Sequence, residues 1–265
     1  MSAQIHIPLR SPLQDYVTAI WEAKASPGCN ETILPQGVVE IIFNFSDPMS
    51  AKMPEGFQIL KAPKCFIQGM NTHVVQVNCS GYHHLFGIRL HPHMIKSMFG
   101  ILPSELKNTS LDLSLLRPRF DELWDQLAEA EDFNARVNII ENNFSMPVNK
   151  ACERTGVLSN LFLSGGVDSF QSVDALAKEV CYSTRQLNRI TNNLFGISAE
   201  ELTVYKKYME AVNYMHFSEA SLTDVAYTAG FYDQSHFCRV FKSYSGITAK
   251  TYRDNKSNTP FHIFS

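Results

Sequence analysis

Apolar and polar positions along this chain follow two different periods, and the change between them divides the sequence. Val39, Ile41, Phe43 and Phe45 alternate with Glu40, Ile42 and Asn44, the period-two pattern of a half-buried strand. Lys64–Gln68, Val74–Val77 and His84–Leu90 predict further strands. Gly and Pro punctuate them at Pro35-Gln36-Gly37, Asp47-Pro48, Pro54-Glu55-Gly56, Gly69 and Gly81. His93–Phe99 predicts a short helix ended by Gly100. From Leu115 the period becomes helical. Phe120, Leu123, Trp124 and Leu127 share one face, and Val137, Ile140 and Phe144 share another. This pair of helices is expected to connect two halves or to form a dimer contact. A loop, Ser164-Gly165-Gly166-Val167-Asp168-Ser169, precedes a segment that is helical throughout.

That last segment contains a repeat. Ser183–Leu202 aligns with Asp233–Tyr252 at an offset of 50 without a gap. Leu187 falls on Phe237, Arg189 on Arg239, Ile190 on Val240, Gly196 on Gly246 and Ile197 on Ile247. Upstream the offset is 49, placing Leu176-Ala177 on Val225-Ala226 and Tyr182 on Phe231. Two copies of one supersecondary unit explain this self-similarity. Each copy reads as helix, tight turn, helix. Ser183 with Gln186, and Ser198 with Glu201, have the spacing of capping boxes, and Asp233 is placed to cap the second copy's second helix. A connecting helix of roughly 18 residues would be about 27 Å long. Two recognition helices about 34 Å apart would face successive major-groove segments on one side of a duplex.

Each second helix carries a polar face opposite its apolar stripe. In copy one it is Arg185, Asn188, Arg189 and Asn192; in copy two it is Ser235, Cys238, Arg239 and Lys242, with Gln234 and His236 at the helix start. Arg bonds guanine bidentately, and Asn or Gln does so to adenine. Ser235, Lys242 and the capped helix amides suit phosphates. Lys206 and Lys207 on the connecting helix are weaker phosphate candidates.

These residues carry a family resemblance. Leu176-Ala177, Ser183-x-x-x-Leu187-x-Arg189, Gly196-Ile197-Ser198, Asp224-Val225-Ala226, the run from Gly230-Phe231 to Phe241-Lys242, and Gly246-Ile247-Thr248-x-x-x-Tyr252-Arg253 resemble the DNA-binding domain of AraC/XylS-type transcriptional regulators. The resemblance covers Val173–Arg253, under a third of the chain. It implies that one monomer binds two adjacent major-groove segments. By position, Arg185, Asn188 and Arg189 fall on the first recognition helix, and Gln234, Ser235, His236, Cys238 and Arg239 on the second. It further implies promoter DNA and RNA polymerase as partners, and a β-rich sensory or dimerisation domain upstream. One residue departs from the pattern: Cys181 stands where such proteins usually have Gly, so its turn is expected to be tight or strained.

The expected fold is α+β: a sandwich- or barrel-like domain over 1–112, a helical connector over 113–165, the double helix-turn-helix domain over 166–255 and a tail over 256–265. In the first domain, Arg89 lies in an apolar stretch and needs a partner, either a carboxylate such as Glu40 or an anionic effector. Aromatics including Trp21 and Phe43 suit an apolar pocket or plain core. Arg89, Glu40, Trp21 and Phe43 are therefore candidate effector contacts. His73, His83, His84, His91 and His93 would suit a divalent metal if two or three shared an inner face. Pro92 interrupts the closest pair and no carboxylate is placed with them, so neither metal nor cofactor is assigned.

Composition changes this picture little. The chain has 265 residues, 45% hydrophobic and 18% charged, with a net charge of -3. From Val148 onward 12 Lys+Arg stand against 11 Asp+Glu, so positive charge for DNA must be placed locally. No run reaches the roughly 20 apolar residues of a membrane span. Met1–Arg10 lacks a leader pattern, and six scattered cysteines without a C-x-x-C pair read as reduced thiols. A cytoplasmic location follows as the expectation. No P-loop, H-E-x-x-H, G-x-S-x-G or G-x-G-x-x-G is present, so no enzyme activity is expected. The alternative is a metal- or small-molecule-binding β-barrel protein, with or without catalysis, whose helical domain binds a protein partner. A homodimer is open in either case.

Overall fold

Strand β4 (Val39–Asn44) is buried along its whole length, although its sequence predicts one wet face. The reason is its place at the centre of a sheet covered on both sides. A computed structural model describes residues 2–9, 12–47, 49–52, 58–59, 61–143, 153–164 and 166–264. The Pro54-Glu55-Gly56 turn and Phe144 lie outside them. In it, β1 (Ser2–His6), β2 (Val17–Ala25), β9 (His83–Leu90), β4, β7 (Cys65–Gln68) and β10 (Ser110–Asp112) form a six-stranded sheet in that order. A second sheet runs β11 (His262–Phe264), β3 (Cys29–Ile33), β8 (Val75–Cys79), β5 (Met49–Lys52) and β6 (Gln58–Ile59). All the strand pairs are antiparallel. The sandwich expectation holds, and the predicted strands near 64–68, 74–77 and 84–90 all form. The short predicted helix is a 3-10 turn (Pro92–Met94) running into α1 (Ile95–Phe99), ended by Gly100 at φ 77°.

Register decides which face each β4 side chain uses. Glu40 stands opposite Arg89, and Ile42 opposite Gly87 and Phe66. On this face Ile42 and Phe66 pack with Met49, Val75 and Val77 of the second sheet. Val39, Ile41 and Phe43 take the other face. There they pack with Phe120, Leu123 and Leu127 of α2 (Arg119–Glu129) and Phe133, Val137 and Ile140 of α3 (Phe133–Asn143). This corrects the connector reading. The apolar faces of α2 and α3 are spent inside the β-rich domain, so the described part of the dimer seam expected along Phe120–Phe144 packs on the chain's own sheet. Only α4 (Glu153–Ser164) joins the helical half, through Leu158 and Phe162.

A buried ion cluster fastens this helical layer. Arg136 of α3 donates to Leu127 O at 2.9 Å and Ala130 O at 2.8 Å, the last carbonyls of α2. It also reaches Glu22 Oε1 at 3.1 Å. Glu22 receives Lys24 Nζ at 3.0 Å and His84 Nε2 at 2.9 Å as well. Burial alone would raise the Glu22 carboxyl, but the hydrogen bonds from His84 and Lys24 outweigh it and hold it below the usual range. Burial lowers His84, against the hydrogen bond to Glu22, which raises it.

The helical half follows the caps written in its sequence. It comprises α5 (Val173–Glu179), α6 (Thr184–Phe195), α7 (Ala199–Phe217), α8 (Leu222–Thr228), α9 (Gln234–Ser245) and α10 (Ala249–Asn255). Ser183 with Gln186 and Ser198 with Glu201 form both predicted capping boxes, and Asp233 caps α9. Cys181 has φ 54° where its counterpart Gly230 has φ 79°, so the strained turn is present. The left-handed region costs an L-residue about 1–2 kcal/mol, while glycine adds unfolded-state entropy of about 0.5–1 kcal/mol. Cys181→Gly is therefore expected to stabilise the chain by about 0.5–1 kcal/mol. A denaturation midpoint that stays level or falls would show that the turn bears no such strain.

Candidate nucleic-acid interface

In each unit the second helix buries one face and turns the other outward. On α6, Leu187, Thr191, Leu194 and Phe195 are buried, while Arg185, Arg189 and Asn192 are exposed. On α9, Phe237, Phe241 and Ser245 are buried, while Gln234, Ser235, Arg239 and Lys242 are exposed. No ion pair or side-chain hydrogen bond to another described residue engages Arg185, Arg189, Arg239 or Lys242. Their charge is open to an anionic partner, and Arg189 and Arg239 occupy equivalent places in the two units.

Three expected contacts sit differently. Asn188 is half-buried; its Oδ1 accepts from Ala199 N at 3.0 Å and its Nδ2 donates to Thr184 O at 3.2 Å. That amide fastens the first turn of α7 to α6, so Asn188 positions the pair instead of facing outward. Cys238 packs at the edge of the helical core, which pushes its thiol pKa up. The His236 ring stands edge-on to Phe231 at 5.4 Å. Both are half-buried because they flank the outward row Ser235, Arg239, Lys242. Gln234 stays exposed while its Oε1 accepts from the Thr223 hydroxyl at 2.6 Å. The connecting helix also corrects the sequence reading. Lys206 is buried and paired with Glu210 at 2.8 Å, and Lys207 donates to Gln171 O at 3.1 Å, so neither ammonium is free.

One residue on this surface escaped the sequence reading. Tyr232 is 87% exposed and immediately precedes the α9 cap Asp233. Its signal was the change of offset from 49 to 50, which marks a residue inserted in the second copy between Phe231 and Asp233.

Comparison with known proteins agrees with this geometry. A family described as a helix-turn-helix domain matches residues 176–255. The chain is 34% identical over 86 residues to the HTH-type transcriptional activator RhaS of Escherichia coli, spanning 31% of this chain and 31% of RhaS. It is 28% identical over 92 residues to the probable transcription factor PqrA of Proteus vulgaris, spanning 35% of this chain and 75% of PqrA. Residues 176–255 form a helix-turn-helix domain of the AraC/XylS type. Its two helix-turn-helix units together make the DNA-binding domain. Residues 6–112 match a domain of unknown function (DUF6597). Among solved structures, ToxT of Vibrio cholerae aligns over 96% of this chain and 97% of its own, at 13% identity and a TM-score of 0.49.

Upstream of this AraC/XylS-type domain, the structure joins three of the four candidate effector contacts. Glu40 Oε1 accepts from Arg89 Nε at 2.6 Å and from Trp21 Nε1 at 3.0 Å. Arg89 Nη2 adds Gln36 Oε1 at 3.4 Å. The Trp21 indole lies against Gly87, where any Cβ would collide with it. Arg89, only half-buried, thus has an internal carboxylate partner. Phe43 does not belong with them. It lies on the opposite face of β4, fully buried, with the Phe86 ring at 6.3 Å.

The histidines do not converge. His84 serves Glu22, His73 is exposed, and the His91 and His93 rings lie tilted to one another with centroids 5.4 Å apart. Burial, and then the charge of His91, push His93 down to about 4. Among the described residues no group of three or more His, Cys, Asp or Glu is placed to hold a metal ion. No described helix is long and apolar enough to cross a membrane.

Proposed function

We propose that this regulator binds its operator with both units of one chain at once, reading bases through Arg185 and Arg189 in one half-element and through Gln234 and Arg239 in the other. Ser235, Lys242 and Tyr232 hold the phosphate-sugar backbone around the second half-element, with Asn188, His236 and Cys238 shaping the two helices beneath. The observation that carries this reading is the pair of equivalent outward faces, each with free cations, joined by a 19-residue helix. That helix is about 28 Å long at 1.5 Å per residue, close to the roughly 34 Å between successive major-groove faces. The β-rich domain senses an effector at Trp21, Glu40, Arg89 and Gln36, where a competing carboxylate or hydroxyl group would take hydrogen bonds now made within the chain. RNA polymerase is the partner that turns DNA binding into regulation.

Selection from random duplexes at two salt concentrations tests the core of this. Two enriched half-elements about 10 bp apart are expected. Binding should fall by roughly 0.9 log unit per phosphate contact for each log unit of salt. Arg189→Ala and Arg239→Ala should each cost about 1–3 kcal/mol and relax preference in one half-element only. Unchanged affinity and base preference in both variants would reject the assigned faces.

A further inference from the structure

One short loop of the β-rich domain is gripped by the connecting helix and by the segment that follows the second helix-turn-helix unit. Leu34 N donates to Phe261 O at 2.8 Å. Gly37 N, three residues on, donates to the Tyr205 hydroxyl at 2.9 Å. Between them Gln36 holds Arg89. Tyr205 is fully buried in the first half of α7, and its hydroxyl also donates to Asn71 O at 2.7 Å. Gly37 has φ 68°, and a Cβ there would come within 2.6 Å of Met209 Sδ and 2.9 Å of the Phe162 ring. The position needs glycine because the backbone itself lies against the connecting helix.

The other grip comes from the segment that follows the second unit. Phe261 N donates to the hydroxyl of Tyr252, a buried residue of α10, at 3.3 Å. Beyond it β11 adds to β3, with His262 Nδ1 2.6 Å from Glu31 Oε1. At the segment's start Lys256 Nζ donates to Met215 O at 3.2 Å and His216 O at 3.1 Å, near the end of α7. The contacts close a ring: α7 at Tyr205, the 34–37 loop, Phe261, α10 and back to α7. Three residues of loop reach at most about 11 Å, so the ring has little slack. A lone helix between two units bends and twists more freely than one braced at both ends. None of these residues lies on the outward faces of α6 or α9, so the ring leaves the recognition surfaces uncovered.

We propose that this clasp fixes the distance and angle between the two recognition helices. Tyr205, Gly37 and Phe261 are then positioning residues that set which half-element spacing the protein accepts, although they touch no DNA. The inference rests on the reading that both units bind DNA together.

The test uses the full chain and duplexes in which the two selected half-elements are spaced from about 9 to 13 bp, centre to centre. Tyr205→Phe keeps the ring in the core and deletes only the bridging hydroxyl. Ile263→Pro breaks the β11–β3 ladder from the other side. The wild type should prefer one spacing by at least about tenfold, a difference of about 1.4 kcal/mol. Both variants should flatten that preference to within about threefold while keeping base preference inside each half-element. A variant series with the wild-type spacing profile overturns the proposal. Amide exchange at Gly37 separates this from failure of the two-unit reading. If wild-type binding needs only one half-element, the proposal falls with its premise, and Gly37 exchange that quickens in Tyr205→Phe locates the failure in DNA recognition, with the clasp itself intact.

Discussion

Phe237→Ala is expected to unfold the second helix-turn-helix unit, at a cost of about 3–5 kcal/mol for truncating a fully buried aromatic. The ring has no exposed surface and stands 5.5 Å from Phe231 and 5.8 Å from Phe241. These aromatics come from the turn before α9 and from α9 itself, so no single neighbour can move to fill the void. A domain has roughly 5–15 kcal/mol in all, and this loss takes a large share of it. Specific affinity should fall with stability, the second half-element being lost first. Thermal unfolding and binding to each half-element check this. A variant that melts with the wild type would show that Phe237 is not the centre of that unit's core, and the outward assignment of Arg239 on the same helix would fall with it.

Arg136→Ala should have a comparable cost for a different reason. Its guanidinium serves two carbonyls at the end of α2 and the buried carboxylate of Glu22 together. Removing one partner of a buried ion pair typically costs about 3–5 kcal/mol, because the remaining charge keeps its desolvation penalty. Lys24 and His84 stay with Glu22, which holds the expected loss toward the lower end of that range. Denaturant titration reads the result. Lysine in place of Arg136 supplies the charge without the planar fork and should recover only part of the loss. A midpoint unchanged in both variants would mean that packing of Phe120, Leu123 and Leu127 alone holds the helices to the sheet.

The DNA-binding half was legible because its signals are local. A cap and the residue three positions on, a glycine after a helix, and an apolar stripe repeating every three to four residues each act within one or two turns. The repeat then supplied an independent check on which face is which. Reading failed where the packing of helices against one another decided what is exposed. Lys206 and Asn188 look like surface residues by spacing, yet packing buries Lys206, which keeps only its same-helix partner Glu210, and turns Asn188 toward Ala199.

The β-rich half was read only in part. Strands rich in Val, Ile and Phe announced themselves. The strands Ser2–His6 and Cys29–Ile33 have polar sequences and form because neighbours offer unpaired backbone edges. Register, which no local pattern encodes, put Trp21, Glu40 and Arg89 on one face and Phe43 on the other. The sequence by itself determined the two helix-turn-helix units, their caps, their outward polar faces and hence DNA binding, since short-range hydrogen bonding and amphipathic period suffice for these. Only the tertiary structure decided that α2 and α3 belong to the sheet, that Arg89 meets Glu40, and that a loop at Leu34–Gly37 joins Tyr205 to Phe261, because each depends on pairing groups far apart in the chain whose mutual burial leaves no trace in either neighbourhood alone.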